Sequence, residues 1–343
     1  MADLPSESND RSYRATILAI AVLGAMVALV IFVPELRALA SDTWRELRSI
    51  SRRWIAAIVI ARTGQAIFSA ISWQNAINAA FPNSRLRFGF VLGLDQGQDA
   101  LNTLTPARGG TITLLAALHV RIRGATMPKL LGVAAVQNLP FLVIGIVLAA
   151  VISIGLPDRV RDDGGFVNAV SGFIRDHPVW TGVIITVVVI AILAAFHFAR
   201  AKIDHAADEL KEGMALIGSP ARFFRLLVVP ASISYAFRWL TTMFLLAAFD
   251  IPVTFWSTAL AVGSNAASGA VRLTPGGIGP SQALDVIALS SYAEPEVVTA
   301  FSLASLATSA IVSGTLAIIG LLSARRWSKI GERRHARHKP PAG

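Results

Sequence analysis

Two arginines stand where apolar sequence is broken by proline and glycine. Arg108 lies in Leu104-Thr105-Pro106-Ala107-Arg108-Gly109-Gly110, and Arg272 immediately precedes Leu273-Thr274-Pro275-Gly276-Gly277-Ile278-Gly279. Around the first phrase gather Asp95, Gln98, Asp99, Asn102 and Thr105. Around the second gather Asn265, Ser268, Thr274, Ser281, Gln282 and Asp285. Pro and Gly end helices, and each break is followed by the start of a new helix, with Pro280 suited to its first turn. Helix N-termini offer unpaired N–H groups and partial positive charge. With the forked donors of Arg108 and Arg272, the chemistry matches recognition of a phosphate, and the glycines let backbone approach a ligand closely. The candidate ligand-binding set is therefore Asp99, Asn102, Pro106, Arg108 and Gly109 at the first break. At the second it is Asn265, Arg272, Pro275, Gly276, Gly277, Gly279 and Gln282. A second reading is structural: Arg272 pairs with Asp285 or Asp99, Arg108 snorkels to the interface, and the glycines serve tight helix packing.

The elements that must position these residues are membrane helices. Of the 343 residues 54% are hydrophobic and 15% charged, and mean hydropathy is +0.59, the composition of an integral membrane protein. The formal net charge of +10 comes from basic residues between apolar runs and at the C-terminal end, including Arg325, Arg326, Lys329, Arg333, Arg334, Arg337 and Lys339. These read as a cytoplasmic stop signal, not as a nucleic-acid surface. With no cysteine in the chain, disulfides, thiolate catalysis and Cys-containing zinc sites are excluded. The histidines show no HExxH pair and no GxxxxGK[ST] phrase occurs, so neither a metal, another cofactor nor ATP-driven pumping by this chain is expected.

Apolar runs long enough to span are Ala15–Val33, Trp54–Trp73, Leu130–Leu156, Val179–Ala199, Leu226–Phe249 and Val297–Leu322, since a span needs about 20 residues. Although Ala38-Leu39-Ala40-Ser41 has the look of a cleavage site, Glu35 and Arg37 interrupt it, and Ala15–Val33 reads as an uncleaved first span. Two zones, Phe88–Val120 and Phe255–Ser291, are too long for one crossing and are cut by the Thr-Pro phrases. The pieces after the breaks reach only roughly 15–17 Å, about half the hydrocarbon core. Each zone is read as a re-entrant helical hairpin with the phrase at its tip. For Phe88–Val120 one broken crossing is the alternative.

The expected fold is all-α and polytopic: six full spans plus two re-entrant hairpins. One membrane domain covers 1–322, with halves about 54–156 and 226–322, a first span at 15–33, a linking span at 179–199, and a basic tail at 323–343. Basic loops at Arg121–Lys129 and Arg200–Arg225, the acidic stretch Pro157–Pro178 and the pair Glu294 and Glu296 give the halves opposite orientation, an inverted repeat. Both termini are then cytoplasmic. The five arginines of Pro34–Arg53 oppose the positive-inside rule there, which an interfacial amphipathic helix accommodates.

The phrase Pro275-Gly276-Gly277-Ile278-Gly279-Pro280-Ser281-Gln282-Ala283 resembles the PGG(I/L)GxxEA signature of the lysylphosphatidylglycerol synthase transmembrane, or flippase-like, family. Asn102-x-Leu104-x-Pro106-x-Arg108-x-Gly110 is similar to that family's earlier NxLPxRxGE motif, with an offset between Leu and Pro. The resemblance implies a multi-spanning inner-membrane protein that moves or binds lipids. Partners would be membrane lipids and a lipid- or glycan-biosynthesis enzyme. Gln282 stands where the family carries Glu, and Thr111 follows Gly110 where an acidic residue is common. Neutral residues there fit an anionic headgroup better than a cationic one. No soluble aminoacyltransferase domain follows Leu322, so aminoacyl transfer by this chain is not expected. The leading expectation is a lipid translocase or lipid-binding transporter-like protein for a phospholipid or polyprenyl-phosphate lipid, not an enzyme. The alternatives are an intramembrane enzyme, for which Asp99 and Asp285 are the candidate bases, and a non-transporting scaffold.

Overall fold

The computed structural model describes residues 50–84, 86–104, 109–155, 204–270 and 280–337. Among them there is no strand. In chain order the helices are α1 (Arg52–Ala80), α2 (Phe88–Leu104), α3 (Gly109–Arg121), α4 (Met127–Gly155), α5 (Asp204–Gly213), α6 (Pro220–Ala248), α7 (Phe255–Ala270), α8 (Pro280–Leu289) and α9 (Pro295–Arg337). Four contain stretches long and apolar enough to cross a membrane: Arg52–Ala80, Met127–Ile152, Pro220–Ala248 and Pro295–Ser323. They coincide with four of the six runs expected from hydropathy. The other two, 15–33 and 179–199, lie outside the described residues, as does the interfacial segment 34–49.

Local sequence sets the boundaries. Pro220, Pro280 and Pro295 each open a helix, where the missing N–H costs nothing and φ is already helical. Gly124 takes a left-handed φ of 74° in the turn between α3 and α4, a conformation glycine adopts without strain. Asp250 does the same at 55° between α6 and α7, as short polar side chains tolerate. The start of α7 is held reciprocally: the Thr254 hydroxyl accepts from the Ser257 N–H at 3.0 Å and the Ser257 hydroxyl from the Thr254 N–H at 2.9 Å, a capping-box exchange. One wide turn at Phe224–Val228 is π-helical and is absorbed within α6.

The order long helix, helix pair, long helix occurs twice: α1, α2–α3, α4 and then α6, α7–α8, α9. Within each pair the second helix folds back along the first. The Asn102 Oδ1 accepts from the Gly110 N–H at 3.0 Å near the bend, while Arg121 at the end of α3 lies over the Phe90 ring at the start of α2. In the second pair Ser264 donates to Asp285, and Leu260 and Ala261 pack in one cluster with Ala288 and Leu289.

Two antiparallel contacts join the halves. Along α1 and α6, Trp54 meets Phe244, Phe68 stacks on Phe237, and the Asn75 amide donates to the Leu226 carbonyl at 2.8 Å, so numbers rise in one helix as they fall in the other. Along α2 and α9 the contact is built on small residues. A Cβ on Gly320 would stand 2.6 Å from the Gly89 carbonyl oxygen and 2.7 Å from the Gly93 nitrogen, and one on Gly93 would stand 2.8 Å from the Leu321 nitrogen. Close backbone approach of this kind gains dispersion where lipid-exposed helices have no hydrophobic drive to associate.

Apolar packing divides into two cores. One joins the end of α1 (Trp73, Ile77), the start of α2 (Val91), α3 (Leu114, Leu118), the start of α4 (Leu130, Val133) and Leu227 of α6. The other joins the start of α1 (Ile58), the end of α6 (Leu245, Leu246), α7 (Leu260), α8 (Leu289) and the start of α9 (Val298, Phe301). Between them lies the polar region that holds the candidate site. Large apolar side chains such as Ile60, Ile112, Val143 and Ile319 are exposed on the outside, as acyl chains require.

Candidate functional site: a polar cavity between the two cores

A cavity of about 150 Å³ lies where α1, α2, α6, α7, α8 and α9 meet. Its lining is mostly polar. Arg62 and Gln65 come from α1, Asp99 and Thr103 from α2, Arg238, Thr241 and Thr242 from α6, Asn265 from α7, and Ser281 from α8. From α9 come Ser302, Ser305, Thr308 and Ser309, and the apolar lining is Leu245, Val262 and Leu306. Arg62, Arg238 and Ser309 each stand within roughly one helical turn of the middle of their apolar spans, so the polar groups lie at mid-depth of the helical bundle.

Arg62 organises one wall. One guanidinium nitrogen donates to the Gln65 Oε1 at 2.8 Å and another to the Asp99 Oδ2 at 2.7 Å. The same carboxylate oxygen accepts from the Ser313 hydroxyl at 2.8 Å, so the network ties α1, α2 and α9 together. Arg62 is 14% exposed but Asp99 44%, and the Asp99 carboxylate therefore opens onto the cavity. Arg238 enters from α6, its guanidinium 6.0 Å from the centre of the Tyr235 ring. Thr241 and Thr242 beside it donate to the Phe237 and Arg238 carbonyls at 2.8 and 3.1 Å, the usual way a helix absorbs a threonine hydroxyl in an apolar setting. Along α9, Ser302, Ser305, Ser309 and Ser313 recur every three or four residues and so share one face. Ser302 reaches Asp285 at one end and Ser313 reaches Asp99 at the other.

Of the residues proposed from sequence, Asp99 and Asn265 line this cavity, with Ser281 between α7 and α9. Asn102 does not line it. It ties the helix pair together, with Oδ1 on the Gly110 N–H and Nδ2 donating to the Thr111 hydroxyl at 3.4 Å. Gly109 opens α3, and its carbonyl accepts from the Thr113 hydroxyl at 3.0 Å. Gln282 is buried on α8, its Oε1 3.3 Å from the Ser281 hydroxyl. Asp285 is buried against Ser264 and Ser302, and Asp95 against Gln96. Pro106, Arg108, Arg272, Pro275, Gly276, Gly277 and Gly279 lie outside the described residues. Asp99, which sequence offered as a partner for Arg272, is held by Arg62. Sequence reasoning passed over Arg62, Gln65 and Arg238. The signal was available: an arginine inside a run that otherwise spans is a functional residue by default.

These helices and the polar chamber at their centre define a helical integral membrane protein. The family model described as the lysylphosphatidylglycerol synthase TM region matches residues 16–335. The chain belongs to that family, which relates it to membrane proteins of lipid synthesis with flippase-like character. Comparison with curated proteins gives no match.

Proposed function

We propose that the protein is a flippase-like lipid transporter of the inner membrane, and that its central cavity takes the phosphate of a phospholipid or polyprenyl-phosphate lipid. The observation that carries this reading is the pair of arginines, Arg62 and Arg238, lining one polar cavity between two apolar cores. An arginine at the bilayer centre costs roughly 2.5–3.5 kcal/mol on insertion scales, and a guanidinium fork is matched to phosphate oxygens. Arg108 and Arg272 lie outside the described residues, and they stay in the proposed site on their sequence setting alone. The chain enters 105–108 just after Thr103 and leaves 271–279 just before Ser281, and both flanking residues line the cavity.

The two helix pairs are re-entrant hairpins, and the halves form an inverted repeat that alternates access to the cavity. Three features support this. α1 and α6 run antiparallel. In each pair the second helix doubles back. Asp99, near the end of α2, meets Ser313 partway along α9, not at its end. Arg87, Arg121, Arg123, Arg222 and Arg225 cluster at the end of the first core, while Asp250, Glu294 and Glu296 lie at the end of the second. The first end is cytoplasmic by the positive-inside rule, the orientation that the basic and acidic loops of the sequence also favour.

Because the chain has no cysteine, single cysteines report this topology directly. In cells, Arg222→Cys is expected to resist an impermeant maleimide and Glu294→Cys to react with it. The reverse pattern, or both on one side, would refute the orientation. The transport reading is tested in proteoliposomes by lipid flipping with Arg272→Ala and Gly277→Leu. Both are expected to slow flipping about tenfold, as loss of a charged hydrogen bond or of backbone access would, and unchanged rates in both would remove these residues from the site.

A further inference from the structure

One buried acid of the second half has hydroxyl partners but no cation among the described residues. We propose that Asp285 is a proton-binding site that exchanges one proton with the cavity through Ser302, and that lipid movement is coupled to that proton. The coupling rests on the reading of the protein as a lipid transporter. The proton site itself rests on the contacts of Asp285.

Hydrogen counting places the proton. Asp285 on α8 is 2% exposed and meets Ser264 of α7 and Ser302 of α9. The Ser264 hydroxyl donates to the Ala261 carbonyl at 3.0 Å and also meets the Asp285 Oδ1. A serine hydroxyl carries a single proton, and a carbonyl only accepts. Spent on Ala261, that proton leaves the hydrogen between Ser264 and Asp285 to come from the carboxyl. The neutral acid then donates through Oδ1 to Ser264 and accepts from Ser302, and all three side chains are satisfied. An ionised carboxylate would leave two acceptors sharing the one Ser264 proton.

The surroundings hold no compensating charge. α7 has no ionisable residue, Asp285 is the only one in α8, and Glu296 is the only one in α9 before Arg325. Tyr292 and Glu294 follow α8, and Glu296 is exposed at the start of α9, roughly 9 Å along the helix from Ser302. Arg62, Asp99 and Arg238 line the cavity, and Asp285 does not. No charged side chain among the described residues acts on the Asp285 carboxyl. An ionised carboxyl buried among uncharged groups is costly, so release of the proton requires the α7–α8 pair to shift against α9 and admit water. Ser302 supplies the route, because its side chain touches the carboxyl and also lines the cavity, which is polar and roomy enough for water. On release the carboxyl O–H bond breaks, the electron pair stays on the carboxylate, and the proton passes by way of the Ser302 hydroxyl to cavity water. Uptake is the reverse. Since the three groups come from three helices, the proton decides whether the second helix pair holds to α9.

Two measurements on the full chain test this. Infrared spectra near neutral pH are expected to show a protonated-carboxyl carbonyl band in the native chain that is missing from Asp285→Asn, whose amide reproduces the donor and acceptor of the neutral acid. Identical carboxyl regions would overturn the proposal, and are the result that an ion pair of Asp285 with Arg272 would give. The second measurement uses vesicles of phosphatidylethanolamine and phosphatidylglycerol, with a labelled phosphatidylglycerol as probe. A gradient of about one pH unit is expected to sustain up to about a tenfold probe asymmetry between leaflets, the limit for one proton per lipid. Asp285→Asn and Ser302→Ala are expected to abolish the asymmetry, and Ser302→Thr, which keeps the hydroxyl, to retain it. Undiminished asymmetry in Asp285→Asn overturns the coupling. A native chain that flips the probe but distributes it evenly whatever the gradient also overturns the coupling and leaves the transporter reading standing. A native chain that moves no probe under any gradient sinks the transporter reading and the coupling together, while the infrared difference still upholds the proton site.

Discussion

Arg238→Gln is expected to slow lipid flipping in proteoliposomes by about tenfold to a hundredfold, compared at equal amounts of folded protein. The magnitude follows from the interaction removed: a charged hydrogen bond to a phosphate contributes roughly 1.5–3 kcal/mol, and each 1.4 kcal/mol is a factor of ten. Arg62 binds Gln65 and Asp99 across two helices, so replacing it strands a carboxylate between α2 and α9, and a loss of function would mix transport with folding. Arg238→Lys sharpens the result. The ammonium retains the charge but not the planar fork, so flipping is expected to fall between the native rate and that of Arg238→Gln. Full activity in both variants would remove Arg238 from the substrate path.

The second large effect is structural. Gly320→Leu is expected to lower the melting temperature markedly, whereas Gly314→Leu, in the same helix, leaves it unchanged. A Cβ at Gly320 would lie 2.6–2.8 Å from backbone atoms of Gly89 and Gly93, while a Cβ at Gly314 meets nothing within 4 Å. Backbone cannot step aside as a flexible side chain can. α2 and α9 must therefore separate, at the cost of about 1–3 kcal/mol or more that overpacking usually carries. The two substitutions have the same helix propensity, so their difference isolates the contact. Equal melting temperatures for the two variants, measured in the same detergent, would show that α2 and α9 do not meet as described.

Much of the helical plan was legible in hydropathy. Trp54–Trp73 fell inside the longer α1, which runs on to Ala80 through Gln74, Asn75 and Asn78. Apolar counting stops at such residues, but here Gln74 and Asn75 donate to the Leu86 and Leu226 carbonyls and the helix continues. Val297–Leu322 was likewise extended, since α9 carries on through the basic stretch to Arg337. The Thr-Pro phrases marked the breaks between α2 and α3 and between α7 and α8, because proline and glycine interrupt an otherwise helical run whatever surrounds it.

The site was less legible. Asp99 and Asn265 stood out because they sit in segments already interrupted. Arg62 and Arg238 did not, because one arginine in a long apolar helix is outweighed in any average over the span. The serine face of α9 was hidden for a related reason: serine is nearly neutral on a hydropathy scale, and its role appears only once Ser302, Ser305, Ser309 and Ser313 are placed on one side of a helix beside Asp285 and Asp99. Asn102 is placed apart from the cavity lining. A polar residue near a break reads as a ligand group, and here its amide also meets Gly110 and Thr111 across the helix pair.

The central claim is that a lipid phosphate rests in the cavity between the two cores, held by arginine. Native mass spectrometry of the full chain, extracted gently from membranes, tests it most directly. The native protein is expected to carry a phosphate-bearing lipid in near-stoichiometric amount, and equally folded Arg238→Gln to carry little or none. A native protein free of such lipid, or a variant that retains as much, would contradict the account.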